Sequence, residues 1–503
     1  MEYSREALDR IAKIKALKEA VICYADKFEK QDISDIIKIK ELNKSEDLME
    51  NAKQVKTARL VLSRMKLLFK IIDNSAIQIL FKKDSVLFNT KEIVENIKID
   101  EEKSAFKVAE KLVQMDYIVI DLFLTKHGEL TIFVKEFQIL SKAVRPLPEK
   151  FHISDIETVY RQRYLDLITN EESFERFKLR SKFVKTLRDF YFENNFIEIE
   201  TPVLNAASGA AAKPFITHHE NFDEDFFLRI SPETFLKRAT VGRFERVVEF
   251  ARDFRNESDP SHMQEFCAIE HYACWWNYED NMRFTENMFD YIFEKIPELK
   301  KEIEIKDKSN ARMVNFQTPW QRVDYVKVYD ACGIDVSKYL PEDEAKLRQD
   351  IKNAGFTWEI DVQATATMID YLYKKVLRPN IVPAFVYNYP KTMQPLARQN
   401  DENPLIVEQF QLVANGWEIV KAYSELVDPE IQKANFDAQD ALDRDEEATS
   451  DDDFVLAMEY MPPQSGWGMI ERILSILTAQ ENLRDVFLFP LMKSRKDGEQ
   501  EKN

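Results

Sequence analysis

Two arginines in distinctive surroundings are the first candidates for chemistry. Arg255 stands in the run Asp253-Phe254-Arg255-Asn256-Glu257, and far downstream Arg472 closes Gly466-Trp467-Gly468-Met469-Ile470-Glu471-Arg472. A planar guanidinium meets phosphate oxygens through paired hydrogen bonds and also lies flat against an aromatic base. One arginine on a phosphate, where charge shifts in the transition state, and another on a base would equip a chain to activate a substrate with a nucleotide. Either motif alone recurs by chance; the pair, in this order, is informative.

The elements that must hold these residues fall into a clear sequence. From Ser4 to about Ala25, Ala7, Ile11, Ile14, Leu17 and Ala20 recur at three- and four-residue steps with lysines between them, which predicts an amphipathic helix. From about Ala58 to Leu140 the period changes to that of strands: "ARLVLSR", "LLFKIIDNSAIQILF" and "DYIVIDLFLTKHGELTIFVKEF" are broken by turn residues such as Asp73-Asn74-Ser75 and His127-Gly128. Short strands of this kind predict a small β-barrel, with a helix over the charged stretch from about Lys91 to Lys111. Arg145-Pro146-Leu147-Pro148-Glu149-Lys150 is a stiff boundary, and beyond it helices alternate with strands. The expected domains are a helical extension over 1–52, the barrel over 53–144, a large domain over 145–492 and a charged, disordered tail over 493–503.

Composition bounds the class. A chain of 503 residues, 45% hydrophobic, can bury more than one core. Its sequence holds no apolar run of membrane-spanning length and starts with no signal peptide, and Cys23, Cys267, Cys274 and Cys332 lack the C-x-x-C spacing of a zinc or redox site. The expectation is a cytoplasmic protein with reduced cysteines and no membrane association. A net charge of -18 excludes a surface that is everywhere a nucleic-acid footprint, though not a local basic stripe.

The motifs around Arg255 and Arg472 resemble motifs 2 and 3 of the class II aminoacyl-tRNA synthetases. "LTKHGELTIFVKEFQILSKAVRPLPEK", "YRQRYLDL" at 160–167 and "SGAAAKPFITHH" at 208–219 resemble the lysine-type members, and the resemblance covers nearly the whole chain. It implies an α+β architecture: an N-terminal OB-fold β-barrel that binds the anticodon, then a class II catalytic domain built on an antiparallel sheet flanked by helices. It also implies a homodimer, with Glu200-Thr201-Pro202 ending the motif 1 interface. The implied reaction is ATP-dependent ligation of L-lysine to tRNA(Lys) through a lysyl-adenylate.

Site roles follow from the same resemblance. Arg255, Glu257 and Arg472 would be catalytic, Arg255 on the ATP α-phosphate and the lysine carboxylate, Arg472 against adenine. Glu257, His262 and Phe266 would complete the ATP site. Gly209, Glu233, Arg255, Glu270, Tyr272 and Glu425 would bind lysine: Glu233 takes the α-amino group, while Glu425 and Tyr272 take the ε-ammonium. Two ammonium groups entering a dry site must each meet a carboxylate, and a neutral substrate would leave Glu425 unpaired. Mg2+ would accompany ATP, with Glu418 as one ligand. Where the family carries a second glutamate this chain has Gln411, a poorer ligand, and where it carries asparagine the chain has Lys421. Glu418 and Glu425 are seven residues apart, so a regular strand would put them on opposite faces; only a bend or bulge brings both to one pocket. In the barrel, Phe69 and Gln78 resemble residues that stack on and pair with the central anticodon base.

Glycine is scarce, at 9 of 503 residues, where usual composition is about 7%. Against the family pattern the chain is one residue short after Ala58, Met65, Ser75, Asn195, Glu257, Val382, Tyr460 and Met469. Drift in an AT-rich genome replaces glycines and does not delete them in place. The pattern implies a gene in which UGA encodes glycine and those residues are missing from the sequence as written. A residue lost after Met469 would turn Arg472 by about 100° about its helix. The rival readings are an aspartate- or asparagine-type ligase on the same scaffold and a non-catalytic tRNA-binding paralogue.

Overall fold

A computed structural model describes residues 4–18, 55–65, 68–72, 76–87, 117–124, 131–146, 155–206, 212–256, 263–307, 310–336, 339, 343–356, 365–391, 396–414, 416–440 and 452–494. The chain divides into two compact units, Met1–Ile153 and Ser154–Asn503.

In the first unit, helix α1 (Arg5–Lys18) buries Ala7 and Ile14 and ties down its Arg10, which donates to Glu6 and to the Arg145 carbonyl, each at 3.1 Å. The rest of the predicted first helix, and the helix predicted over 91–111, lie outside the described residues. Strands β1 (Val55–Met65), β2 (Leu68–Ile72), β3 (Ala76–Leu87), β4 (Tyr117–Leu124) and β5 (Thr131–Ser141) pair in the cyclic order β1-β2-β3-β5-β4 and close on themselves. Closure removes the exposed edges that short strands would otherwise present. Phe69 pairs with Ile79 and Gln78 with Lys70, so the two residues expected to read one base stand on successive rungs of the ladder, one out of phase.

The second unit opens with helices α2 (Ile156–Arg161), α3 (Arg163–Thr169) and α4 (Glu171–Glu193). Its sheet has eight strands: β6 (Ile197–Glu198), β10 (Arg246–Phe254), β11 (Glu265–Cys274), β14 (Gln321–Asp324), β15 (Ala384–Tyr387), β16 (Gln409–Ala414), β17 (Trp417–Ser424) and β18 (Gln464–Ile470). The order is β14-β15-β16-β17-β18-β11-β10-β6. The expected antiparallel pairing holds across the middle, but both edge pairs, β14 with β15 and β10 with β6, are parallel, so the sheet is mixed. Between β6 and β10 come the small β7 (Leu204–Asn205), β8 (Phe215–His219) and β9 (Glu224–Leu228) and helix α5 (Glu233–Val241); β12 (Glu302–Asp307) and β13 (Asn310–Asn315) form a separate hairpin. At the turn into β6, Asn195 takes φ 62°, a left-handed conformation that asparagine tolerates better than most residues.

Helix α6 (Tyr278–Lys295) packs behind the sheet. Its start is fixed by a capping box in which the Asn277 side chain accepts from Glu279 and Asp280 N–H and the Asp280 carboxylate accepts from Asn277 N–H. A cap of this kind is worth about 1 kcal/mol. Phe190, Phe284, Met288, Phe289, Trp467 and Met469 form the apolar core between α4, α6 and the sheet. A second core, built on Tyr325, Tyr329, Tyr373 and Tyr389, covers the far end of the sheet at Val386 and Val413. The closing helices are α7 (Asp452–Met458) and α8 (Arg472–Leu477).

One polar chain runs through the apolar core. His271 is fully buried, and burial pushes its pKa down to about 3, so the ring is neutral. Its Nε2 meets Asn281 Oδ1 at 2.8 Å and its Nδ1 meets the Tyr191 hydroxyl at 2.9 Å. Asn281 Nδ2 donates to Ser465 Oγ at 2.8 Å, and Ser465 Oγ donates to the Tyr423 carbonyl at 2.8 Å. Helices α4 and α6 are thereby fastened through β11 and β18 to the backbone of β17. Every donor has at least one acceptor, which is what a buried network requires.

The unfolded chain protonates a histidine near pH 6.5 while the native state keeps His271 neutral to about pH 3. This group therefore contributes stability that is full above pH 6.5 and is lost as pH falls towards 3. Unfolding free energies of wild type and His271→Gln, measured by denaturant titration between pH 7 and pH 4, are expected to show this acid limb, up to about 1.4 kcal/mol per pH unit, flattened in the variant. Equal slopes would remove His271 as its source.

Candidate active site

Strand register assembles one face of the sheet. Gln411, Lys421, Gly468, Glu270 and Glu249 are successive cross-strand partners on one rung, and Gln409, Tyr423, Gly466, Tyr272 and Val247 on a rung two residues along. Side chains two apart on a strand share a face, so these residues look into a common cleft. Both β18 positions on these rungs are glycines. A Cβ at Gly466 would overlap Glu425 Oε1 and the Tyr272 ring, whereas one at Gly468 would sit 3.6 Å from Glu270 Cγ. The glycines form a floor low enough for larger side chains to lie across it.

The bulge that Glu418 and Glu425 require is present. Leu412 pairs with Val420 but Val413 pairs with Glu418, leaving Ile419 as an extra residue in β17. That residue inverts the alternation, so Glu418 falls in phase with Lys421 and Tyr423.

Four of the expected lysine-site residues come together over this floor. Glu233 is the first residue of α5, and its carboxylate accepts from Lys237 Nζ at 2.8 Å and from the Tyr423 hydroxyl at 2.5 Å. Burial alone would raise its pKa, but the Lys237 ammonium and the Tyr423 hydroxyl outweigh it and hold Glu233 below the usual glutamate value. Ser231 accepts from Glu233 N–H at 3.1 Å and donates to Glu270 at 2.9 Å, joining the helix start to β11. Burial, reinforced by the charges of Asp253 and Glu233, pushes Glu270 well up. Glu425 is also buried; Oε2 forms an ion pair with Lys237, neither oxygen completes a regular hydrogen bond, and burial raises the group to about 8 against the pull of that ammonium and of the Gly466 N–H. Tyr272, buried on β11, lies beside Glu425.

Arg255 extends from the end of β10, its guanidinium 5.1 Å from the centre of the buried Phe266 ring and its Nε buried without a hydrogen-bond partner. Behind it Arg229 is a structural node. Its guanidinium donates to Glu249 at 2.6 Å and to the Thr201 carbonyl at 3.1 Å, and stands 3.5 Å from Asp253. Burial pushes Asp253 up to about 7, against the pull of Arg229 and Arg255. Arg472 is not gathered with this group: its guanidinium lies 4.3 Å from the centre of the Trp417 ring. Trp417 pairs with Ala414, one residue out of phase with Glu418. Gly209, Glu257 and His262 lie outside the described residues.

The donor set does not fit a metal held by paired carboxylates. Glu418 would supply one hard-cation ligand, but the Gln411 amide oxygen already accepts from the Tyr389 hydroxyl at 2.8 Å and its cross-strand partner is Lys421. Among the described residues no group of three His, Cys, Asp or Glu side chains could enclose a metal.

Lys237, Ser231 and Tyr423 belong to the cleft yet do not stand out in the sequence. Lys237 is four residues after Glu233, a spacing most often seen in surface helix pairs. Tyr423 is two before Glu425, which strand alternation could have flagged.

A sheet of this topology, with an arginine leaving the β10–β11 hairpin and a glycine-floored acidic cleft, defines a class. Residues 155–493 match the family model for tRNA synthetases class II (D, K and N). The chain is 41% identical to a lysine–tRNA ligase of Aquifex aeolicus over 75% of its own length and 63% of that protein, less than two thirds of the relative. It is 40% identical to a lysine–tRNA ligase of Carboxydothermus hydrogenoformans over 78% of this chain and 81% of that one, and 41% identical to one of Clostridium novyi over 75% and 74%. The chain belongs to the class II tRNA synthetases and, within them, to the lysine–tRNA ligase family.

The glycine floor yields a direct test. Gly466→Ala puts a methyl group into the Glu425 carboxylate and the Tyr272 ring, and overpacking of this kind costs about 1–3 kcal/mol. The variant is expected to melt lower, whereas Gly468→Ala, with ordinary contact distance around it, changes the melting temperature far less. Equal effects of the two in calorimetry would refute the asymmetry.

Proposed function

We propose that the chain ligates L-lysine to tRNA(Lys) in two steps. A lysine carboxylate oxygen attacks the ATP α-phosphorus in line and pyrophosphate leaves; a hydroxyl at the tRNA 3′ end then attacks the adenylate carbonyl and AMP leaves. The observation that carries this reading is the convergence of Glu233, Glu270, Tyr272 and Glu425 over the glycine floor, with Arg255 at its rim. Glu233 receives the α-amino group and Glu425 the ε-ammonium, with the Tyr272 ring beside it. Arg255 holds the carboxylate against the α-phosphate, and Phe266 supports the base. Glu257 and His262 act on ATP, Gly209 admits lysine to the backbone, and Arg472 covers adenine when its turn carries the missing glycine. The chemistry needs no side-chain nucleophile, only positioning and charge stabilisation. Magnesium arrives with ATP and is not caged by paired carboxylates.

The closed five-stranded barrel is read as an OB-fold that takes the anticodon, with Phe69 and Gln78 at the base. The partner of the catalytic unit is a second copy. Ile197, Val203, Leu204 and Ile216 are exposed apolar residues on or beside β6, β7 and β8, next to the Thr201 carbonyl that Arg229 holds. Such a patch marks an association surface. The enzyme works in the cytoplasm; no helix among the described residues is long and apolar enough to cross a membrane.

Amino-acid-dependent exchange of pyrophosphate into ATP tests the reaction. Exchange is expected with lysine and not with aspartate or asparagine, and Arg255→Ala should lower it by about 100-fold or more. Inserting glycine after Glu257 and after Met469 should raise it, by restoring the loop and the turn before Arg472. Exchange driven by another amino acid would transfer the chain to a different ligase; none in either form would favour the non-catalytic paralogue. Light scattering on a sizing column should give a dimer for wild type and a monomer for Leu204→Arg, and a wild-type monomer would end the homodimer reading.

A further inference from the structure

The cleft already contains a lysine side chain. Lys237 Nζ is 2.8 Å from Glu233 Oε1 and pairs with Glu425 Oε2, and its side chain is only 1% exposed. Aromatic faces surround it: the rings of Tyr272 and Tyr423 at 5.7 Å and Phe454 at 5.5 Å. Carboxylates and aromatic faces are the groups that recognise an alkylammonium. Among the described residues no other lysine or arginine is ion-paired with Glu233 or Glu425.

The pairing is incomplete in an informative way. A purely structural ion pair at such depth would satisfy both carboxylate oxygens, because an uncompensated buried oxygen costs free energy. Here neither Glu425 oxygen completes a regular hydrogen bond: Oε2 has the Lys237 ammonium as its ion-pair partner, and Oε1 lies beside Gly466 and Tyr272. One oxygen is committed to the chain's own ammonium, and the other lies over the glycine floor with no charged partner among the described residues.

We propose that Lys237 is a resident ammonium of the amino-acid pocket: a positioning residue that holds Glu425 by one oxygen and leaves the other for the ε-ammonium of the substrate. The proposal rests on lysine being the substrate. Lys237 then sets specificity as well as geometry. Glu425 is stretched between two ammonium groups, one internal and one delivered, and a substrate without a distal cation leaves Oε1 unpaired.

The charged and titratable groups around Glu425 are Lys237 and Glu233 from α5, Tyr272 and Glu270 from β11, and Tyr423 and Lys421 from β17; Gly466 on β18 adds its backbone N–H. Of these cations, Lys237 is the one bonded to Glu425. Glu425 stands at about 8 with Lys237 in place; without that ammonium only the Gly466 N–H opposes burial and the Glu233 charge, and Glu425 holds its proton to higher pH. Raising the pH removes that proton, while the substrate ε-ammonium, with a pKa of about 10.4, stays charged at pH 9.

Calorimetric titration of L-lysine into the full chain, as wild type, Lys237→Met and Lys237→Gln at pH 7 and pH 9, tests this, with thermal melts run in parallel. The variants should bind about 30-fold or more weakly at pH 7 and recover between pH 7 and pH 9 by several-fold more than wild type does. If either neutral variant melts below the assay temperature, Lys237→Arg takes its place. It keeps the charge, and should weaken binding without acquiring the extra pH dependence. Variant affinity equal to wild type overturns the proposal, as does tighter binding, which would make Lys237 a competitor of the substrate. Weak binding with the wild-type pH response also overturns it, since a merely structural lysine would behave so. A wild-type chain that does not bind lysine at all sinks the underlying function, and the first titration reads this separately.

Discussion

Several carboxylates share one dry cleft, and neither water nor distance relieves their repulsion. Removing an ion from water costs several kcal/mol even after relaxation, so each carboxylate must be met by a donor fixed in place. The local architecture follows from this need. Ser231 sits just ahead of α5 so that one hydroxyl accepts from the helix start and donates to Glu270. Tyr423 is in β17, where its hydroxyl reaches Glu233 and its carbonyl is held from behind by Ser465. Gly466 of β18 is required because the Glu425 carboxylate and the Tyr272 ring lie across the strand there.

The polar chain on the reverse of the sheet serves the same end. Tyr191, His271, Asn281 and Ser465 touch none of the cleft carboxylates, yet the last of them fixes the backbone from which the Tyr423 ring projects. Arg229 does for the rim what Ser465 does for the floor, joining the loop at Thr201 to β10 two residues short of Arg255. Precision in the cleft depends on residues that never enter it, as a preorganised site demands.

Much of this was legible in the residues. The change from helical to alternating periodicity marked the barrel, and the spacing of Glu418 and Glu425 demanded a bulge, which lies at Ile419. Glu233, Glu270, Tyr272 and Glu425 were recognisable from the resemblance of their surrounding motifs. Lys237 was not, because an E-x-x-x-K pair looks the same whether it faces water or a cleft; only the opposing sheet makes it internal. The parallel edge pairs were hidden because edge strands of two and four residues carry too little pattern. Arg472 was placed by motif, but its direction depends on the local turn, and it lies against Trp417.

The bulge at Ile419 has a consequence for how this strand can vary. An even, unbroken strand is a two-state counter: each residue added or removed toggles everything beyond it between the cleft and the core. By absorbing one count, the bulge lets an odd number of steps separate two residues that look the same way. What is fixed is the parity of length and bulge together. Loss of Ile419 alone would leave a regular strand with Glu418 and Glu425 six residues apart and still on one face, whereas loss of another residue between them with the bulge kept would send an acidic side chain into the apolar core.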